Sequence, residues 1–212
     1  MGSIGKRLFA WMYHNLLSSR GHPDLTDSFT REVRVPLLAR AQGKVLEIGA
    51  GDGANLPFFP PDVELTLLEP NPYLIRHLPD VARRLGITRY VTATAYAENM
   101  PFGDDEFDTV VSTHVMCSVS DQGKVLAEIR RVLKPGGRFL FLEHVSAEPG
   151  TLTFRLQHAI NPAWKVVGDG CHLTRDTAAM IRAAGFSHVE ITSFRAEAPG
   201  IVSPHIVGMA VH

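Results

Sequence analysis

The sequence predicts an α/β protein: a doubly wound, Rossmann-like sheet of seven strands, mostly parallel, with helices on both faces and an antiparallel strand at its C-terminal end. Three observations predict it. Apolar runs alternate with helix-period segments along most of the 212 residues, the pattern of a parallel sheet connected by helices. The run Lys44–Ile48 is continuously apolar after its first residue, apart from Glu47, as in strands covered on both faces. It passes directly into Gly49-Ala50-Gly51-Asp52-Gly53, where alternate glycines let the backbone turn sharply and approach a ligand.

Taken in order, Ile4, Leu8, Trp11, Met12 and Leu16 recur at spacings of three and four, a helical stripe. The stripe is too short and interrupted to span a bilayer, and no small-residue cleavage site follows it. A lid over the ligand cleft, a packing helix and an interfacial membrane helix all fit it. The membrane surface is the least favoured, because few cations flank the stripe. Ser19 to Thr26 reads as a loop, and Phe29 to Arg40 as a helix with Val33, Leu37 and Leu38 facing inward. Residues 1–40 are therefore expected to form an N-terminal helical lid on a core of residues 41–212.

The glycine turn should open a helix whose unpaired N–H groups face the ligand. Pro60-Pro61-Asp62 breaks the chain before a second strand, Val63–Leu68. Pro72 opens a helix at a favourable early position, running to about Leu85 and stopped by Gly86. Strands follow at Arg89–Thr94 and Phe107–Thr113. Asp121 caps a helix with Val125, Leu126, Ile129, Val132 and Leu133 at helical period. Lys134-Pro135-Gly136-Gly137 ends it, and Arg138–Glu143 is the fifth strand. Next come a helix from Leu152 to Trp164, the loop Gly168-Asp169-Gly170-Cys171-His172, and a helix from Thr174 to near Gly185. His188–Phe194 and His205–Val211 form a closing antiparallel pair.

Lys and Arg number 21 against 22 Asp and Glu, so there is no basic surplus of the kind that binds nucleic acid. Two cysteines, Cys117 and Cys171, argue against a disulfide scaffold and fit a reducing, cytoplasmic location. No CxxC or paired Cys/His spacing supports structural zinc, and the ten histidines are scattered. No metal is expected.

The glycine spacing is G-x-G-x-G, where a nicotinamide dinucleotide fingerprint has G-x-G-x-x-G. Glu47 lies two residues before the first glycine; a carboxylate there repels a pyrophosphate and holds an ammonium group. Glu69 ends the next strand, 20 positions after Gly49, where a carboxylate takes ribose hydroxyls. The combination points to S-adenosylmethionine, with a nucleotide site and a structural turn as the competing readings.

Glu47–Gly53, Glu69, Ala97-Glu98-Asn99-Met100-Pro101-Phe102, Asp108-Thr109-Val110-Val111 and Leu133-Lys134-Pro135-Gly136-Gly137 resemble, in order, the motifs of class I S-adenosylmethionine-dependent methyltransferases. The C-terminal third resembles the methyltransferase-like seven group, whose members methylate small alkyl thiols. That likeness runs through Glu143-His144-Val145, Pro162-Ala163-Trp164-Lys165, Gly168-Asp169-Gly170-Cys171, Leu173-Thr174-Arg175 and Pro204-His205-Ile206-Val207-Gly208. Similar segments occur in small bacterial methyltransferases of unassigned substrate. Animal members of the group begin with a long hydrophobic anchor; here a short amphipathic helix stands, so membrane attachment is not carried over.

The resemblance implies a role for each motif residue. Glu47, Gly49, Ala50, Gly51 and Asn55 would surround the methionine part of S-adenosylmethionine, with Glu69 and Pro70 at the ribose. Ala97 and Glu98 would lie near adenine, where Tyr96 replaces the family's usual acid. Thr113 and His114, just past a strand end, would lie beside the sulfonium. An acceptor-site insertion is expected at about 145–175, with His144, Asp169 and His172 as candidate catalytic or orienting groups and His205 as a further one. Trp11, Tyr13 and Trp164 would wall an apolar acceptor pocket, contact the sulfonium through their π faces, or pack in the core. The implied reaction is direct methyl transfer to a small molecule. A thiol already has some thiolate at neutral pH and needs less help from a base than an alcohol does. The competing functions are N-, O- or C-methylation of a small aromatic or lipid-like metabolite, and cofactor binding without transfer.

Overall fold

The computed structural model describes residues 3–12, 30–198 and 200–212. Its strands are β1 (Lys44–Ile48), β2 (Glu64–Leu68), β3 (Tyr90–Ala93), β4 (Phe107–Thr113), β5 (Leu133–His144), β6 (His188–Arg195) and β7 (Pro204–Val211). They form one sheet in the order β3-β2-β1-β4-β5-β7-β6. The first five are parallel, and β7 runs antiparallel to both β5 and β6. The strand order reverses between β1 and β4, which opens a crevice at their carboxyl ends, the usual ligand position of such a sheet.

Successive side chains of a strand point to opposite faces, and both faces are covered. Leu46, Ile48, Val110, Phe139 and Phe141 pack with Val125, Leu126 and Ile129 of α5 (Gln122–Val132) and Ile181 of α7 (Thr177–Ala183). Val45, Val111, Leu140 and Leu142 lie in the opposite core with Leu37 and Leu38 of α2 (Val35–Leu38) and Leu78, Val81 and Ala82 of α4 (Leu78–Leu85). This two-sided burial is why β1 and β2 read as largely apolar runs.

Several connections depart from the sequence expectation. No helix follows the glycine turn; the chain makes one 3₁₀ turn, Leu56–Phe58. Pro57 sets its start and Pro60 and Pro61 follow closely, so few N–H groups remain to propagate a helix. The expected helix from Pro72 to Leu85 is two pieces, α3 (Pro72–Ile75) and α4, because Pro79 removes the bond to Ile75 and its ring crowds that carbonyl. The helix expected from Thr174 starts at Thr177, where Asp176 accepts from the Ala179 N–H at 3.0 Å and so caps it. Strand β5 begins at Leu133 rather than Arg138, with a register shift against β4 between Phe107 and Thr109. Helix α6 (Leu152–Val167) runs past Pro162 and beyond the expected end at Trp164. Within the expected helix 29–40, Thr30–Arg34 is π-helical before α2 begins. Helix α1 (Ser3–Met12) takes up the first part of the N-terminal stripe; Tyr13, Leu16, Phe29 and the loop Ser19 to Thr26 lie outside the described residues. Among the described residues no helix is long and apolar enough to cross a membrane.

Candidate active site

The crevice at the carboxyl ends of β1, β2 and β4 opens into a cavity of about 940 Å³. Gly49, Gly51, Glu69, Pro70, Ala97, Glu98, Thr113 and His114 line it, with Asp169 on the α6 side. Glu47, Ala50, Asn55, His144 and His172 do not line it. Gly49 has φ +64°, and a Cβ there would stand 2.4 Å from a methyl carbon of Val115; only glycine fits. Gly51 is also left-handed, at φ +58°.

Glu47 lies buried behind the turn. Its Oε1 accepts from Asn55 Nδ2 at 2.6 Å, and the same amide nitrogen reaches Thr113 Oγ1 at 2.8 Å. Glu47 Oε2 and Asn55 Oδ1 are buried with no hydrogen-bond partner among the described residues. Desolvation pushes the Glu47 carboxyl up to about 7 against the pull of the Asn55 bond. Glu69 Oε2 accepts from the Gly51 N–H at 2.9 Å and Oε1 from the Asn71 N–H at 2.8 Å. Burial raises its pKa and those two amides hold it back. At the other end Glu98 accepts from the Ser120 amide at 2.6 Å and hydroxyl at 2.7 Å. Burial works against these bonds, yet they keep its carboxyl below the usual range.

His114 has φ +57°, unusual for a residue with a Cβ. Buried Glu143 holds this turn: it accepts from Ser112 Oγ at 2.5 Å and from the amides of Val115 and Met116 at 3.2 and 3.1 Å. His205 Nδ1 lies 3.0 Å from the Ser203 carbonyl. A carbonyl only accepts, so that nitrogen carries the hydrogen and His205 Nε2 is the acceptor. His114 Nε2, 3.2 Å away, then donates, and Nδ1 is the basic nitrogen of His114. Burial holds both rings below the usual histidine range.

His144 turns from the cavity toward Cys171, with Nε2 2.9 Å from the sulfur. His172 places Nδ1 3.3 Å from the Cys117 carbonyl. Asp169 has φ +49° and lines the cavity; Arg175 directs its guanidinium to the Met116 and Val119 carbonyls, 2.6 Å each. Trp11 is 60% exposed and Trp164 donates to Cys171 Sγ at 3.3 Å, so neither stands in the cavity wall. Sequence reasoning missed Lys6, Phe9 and Asn71, which do line it. Lys6 Nζ is 2.7 Å from the Tyr96 hydroxyl and 5.0 Å above its ring. Asn71 Nδ2 donates to the Lys6 carbonyl at 3.1 Å, which fixes α1 at the rim.

A doubly wound sheet with a glycine turn between two carboxylates and a cavity over it defines a class I S-adenosylmethionine-dependent methyltransferase. Residues 46–141 match the family described as Methyltransferase domain. Thiol S-methyltransferase TMT1B of Rattus norvegicus is 43% identical over 172 residues, 79% of this chain and 70% of that protein. Thiol S-methyltransferase TMT1A of Homo sapiens is 41% identical over 173 residues, again 79% and 70%. The chain belongs to this thiol S-methyltransferase family. Phosphoethanolamine N-methyltransferase 2 of Haemonchus contortus superposes with a TM-score of 0.69, covering 99% of this chain and 57% of that one. At 15% identity that likeness is one of fold.

Proposed function

We propose that the cavity binds S-adenosylmethionine and that the methyl group passes to the sulfur of a small apolar thiol. The observation that carries the thiol is the identity of 41–43% to relatives named thiol S-methyltransferase. The residues present fit the cofactor. A buried carboxylate oxygen of Glu47 without a partner among the described residues suits an ammonium group, and the Glu69 carboxylate retains lone pairs for ribose hydroxyls. Ala97 and Glu98 would flank the adenine, and α1 would act as the lid through Lys6 and Phe9.

Bound S-adenosylmethionine supplies a methyl group already activated by a positive sulfur. The chain aligns the acceptor and excludes water, and alignment alone contributes about 7–11 kcal/mol to such reactions. As the thioether S–C bond forms and the sulfonium C–S bond breaks, the thiol proton must leave. An acceptor that enters as the thiolate has already given that proton to solvent.

A panel of alkyl thiols, amines and phenols, scored for release of S-adenosylhomocysteine and for methylated product, tests the reading. Thioether formation with alkyl thiols is expected. Methylation of phenols or amines but of no thiol would overturn the acceptor, and cofactor binding without turnover of any acceptor would overturn the transfer.

A further inference from the structure

Two cysteines 54 positions apart and one histidine meet beside the cavity: Cys117 in the turn after β4, His144 at the end of β5 and Cys171 in the loop after α6. Their ligand atoms all lie within 4.8 Å of one another, in a buried setting. We propose that Cys117, His144 and Cys171 form a three-ligand site for a thiophilic divalent cation, Zn2+. This departs from the metal-free expectation drawn from residue spacing, which could not register three separate elements converging.

The donor set suits zinc. Thiolate and imidazole are the donors it prefers over oxygen, and two thiolates with one neutral imidazole cancel its charge in a buried site. Tetrahedral coordination with Zn–S of about 2.3 Å and Zn–N of about 2.0 Å separates ligand atoms by about 3.5–3.8 Å. The His144 Nε2–Cys171 Sγ contact of 2.9 Å lies below that range and the 4.8 Å limit on all three pairs lies above it, so closing on the ion takes side-chain adjustments of about an ångström.

The surroundings hold the donors in place. The Cys117 carbonyl takes the His172 amide at 2.8 Å, while Arg175 clamps the carbonyls of Met116 and Val119 on either side. Trp164 aims its indole N–H at Cys171 Sγ, an outer partner of the kind that tunes a ligating thiolate. Gly168 leaves room for this packing, since a Cβ there would lie 3.1 Å from Cys171 Cβ and 3.2 Å from Trp164 Nε1. A disulfide between the cysteines would need neither the imidazole nor the indole directed at the same sulfur. Three protein ligands leave a fourth position for an exogenous group. Ser118 and Gly170, each next in sequence to one of the cysteines, line the cavity, so that group would approach from the cavity side.

The test uses the full chain, reduced, stripped with a chelator and titrated anaerobically with Co2+. One equivalent should bind, with thiolate-to-cobalt charge-transfer absorption in the near ultraviolet and the intense visible bands of a tetrahedral ion, and Zn2+ should bleach both. Cys171→Ser and His144→Asn should each weaken cobalt binding by at least about 100-fold, the upper end of what losing an outer-shell partner costs. Circular dichroism checks that the variants fold. In the wild type, one equivalent of Zn2+ should protect both cysteines from iodoacetamide, a readout that stands even if the variants fail to fold. Cobalt uptake no greater than that of a folded Cys117→Ser/Cys171→Ser variant would overturn the site. So would unprotected alkylation, or a Cys117–Cys171 disulfide in anaerobically purified protein.

Discussion

Replacing Glu47 by Gln should change how stability responds to pH. Burial raises the Glu47 carboxyl from an ordinary 4.5 to about 7, a difference of roughly 3 kcal/mol between its protonated and ionised forms. The folded protein keeps this proton over a range in which the unfolded chain has lost it. The contribution is therefore fully present below pH 4.5 and is lost as pH rises through about 7. Gln has no proton to lose. The stability of Glu47→Gln minus that of the wild type should rise by roughly 3 kcal/mol between about pH 4 and about pH 8.5, whatever constant offset the new amide adds. Glu143 is also raised to about 7 by burial, but it is common to both proteins and cancels in the difference. Urea unfolding of ligand-free protein at four pH values measures this directly. A difference that stays flat with pH would mean that the buried Glu47 carboxyl keeps an ordinary pKa. With ligand the sign reverses: S-adenosylhomocysteine should bind the wild type more tightly as pH rises through 7, and the Gln variant should lack that rise.

Two further substitutions probe the frame of the site. Gly208→Ala places a Cβ 2.0 Å from the Glu190 carbonyl and 2.6 Å from the Phe141 ring, between β5 and β6, and should cost more than about 3 kcal/mol in urea unfolding. Asn71→Ala removes the cap on Tyr73 N and the bond to the Lys6 carbonyl. It should lower Tm by about 2–4 °C for a cap of about 1 kcal/mol and speed amide exchange in residues 3–12.

The strands were the most legible part of the sequence. β1 and β4 have the expected bounds, β2 starts one residue late, and β3, a partly exposed edge strand, is one residue shorter at each end; two-sided burial gives β1 and β2 their largely apolar signature. The missing helix after the glycine turn and the break before α4 were written in Pro57 and Pro79, local signals outweighed by the glycine turn and Pro72 as helix openers. The cavity-lining motif residues were found because each lies at a strand end or, for Ala97 and Glu98, in the loop that follows one, which topology alone brings to one rim. Glu47 and Asn55 lie in the layer behind that rim. Contacts joining distant elements were not legible: Lys6 with Tyr96 and Asn71, His114 with His205, and the two cysteines with His144. Periodicity and spacing carry no record of which loops meet.

Titration of S-adenosylhomocysteine into the protein by calorimetry reads whether the cavity over the glycine turn holds the cofactor. One site per chain with micromolar affinity is expected, abolished in a folded Gly51→Arg variant whose side chain fills the approach over the glycine turn. Absence of binding to the wild type, or equal binding to the variant, would contradict it.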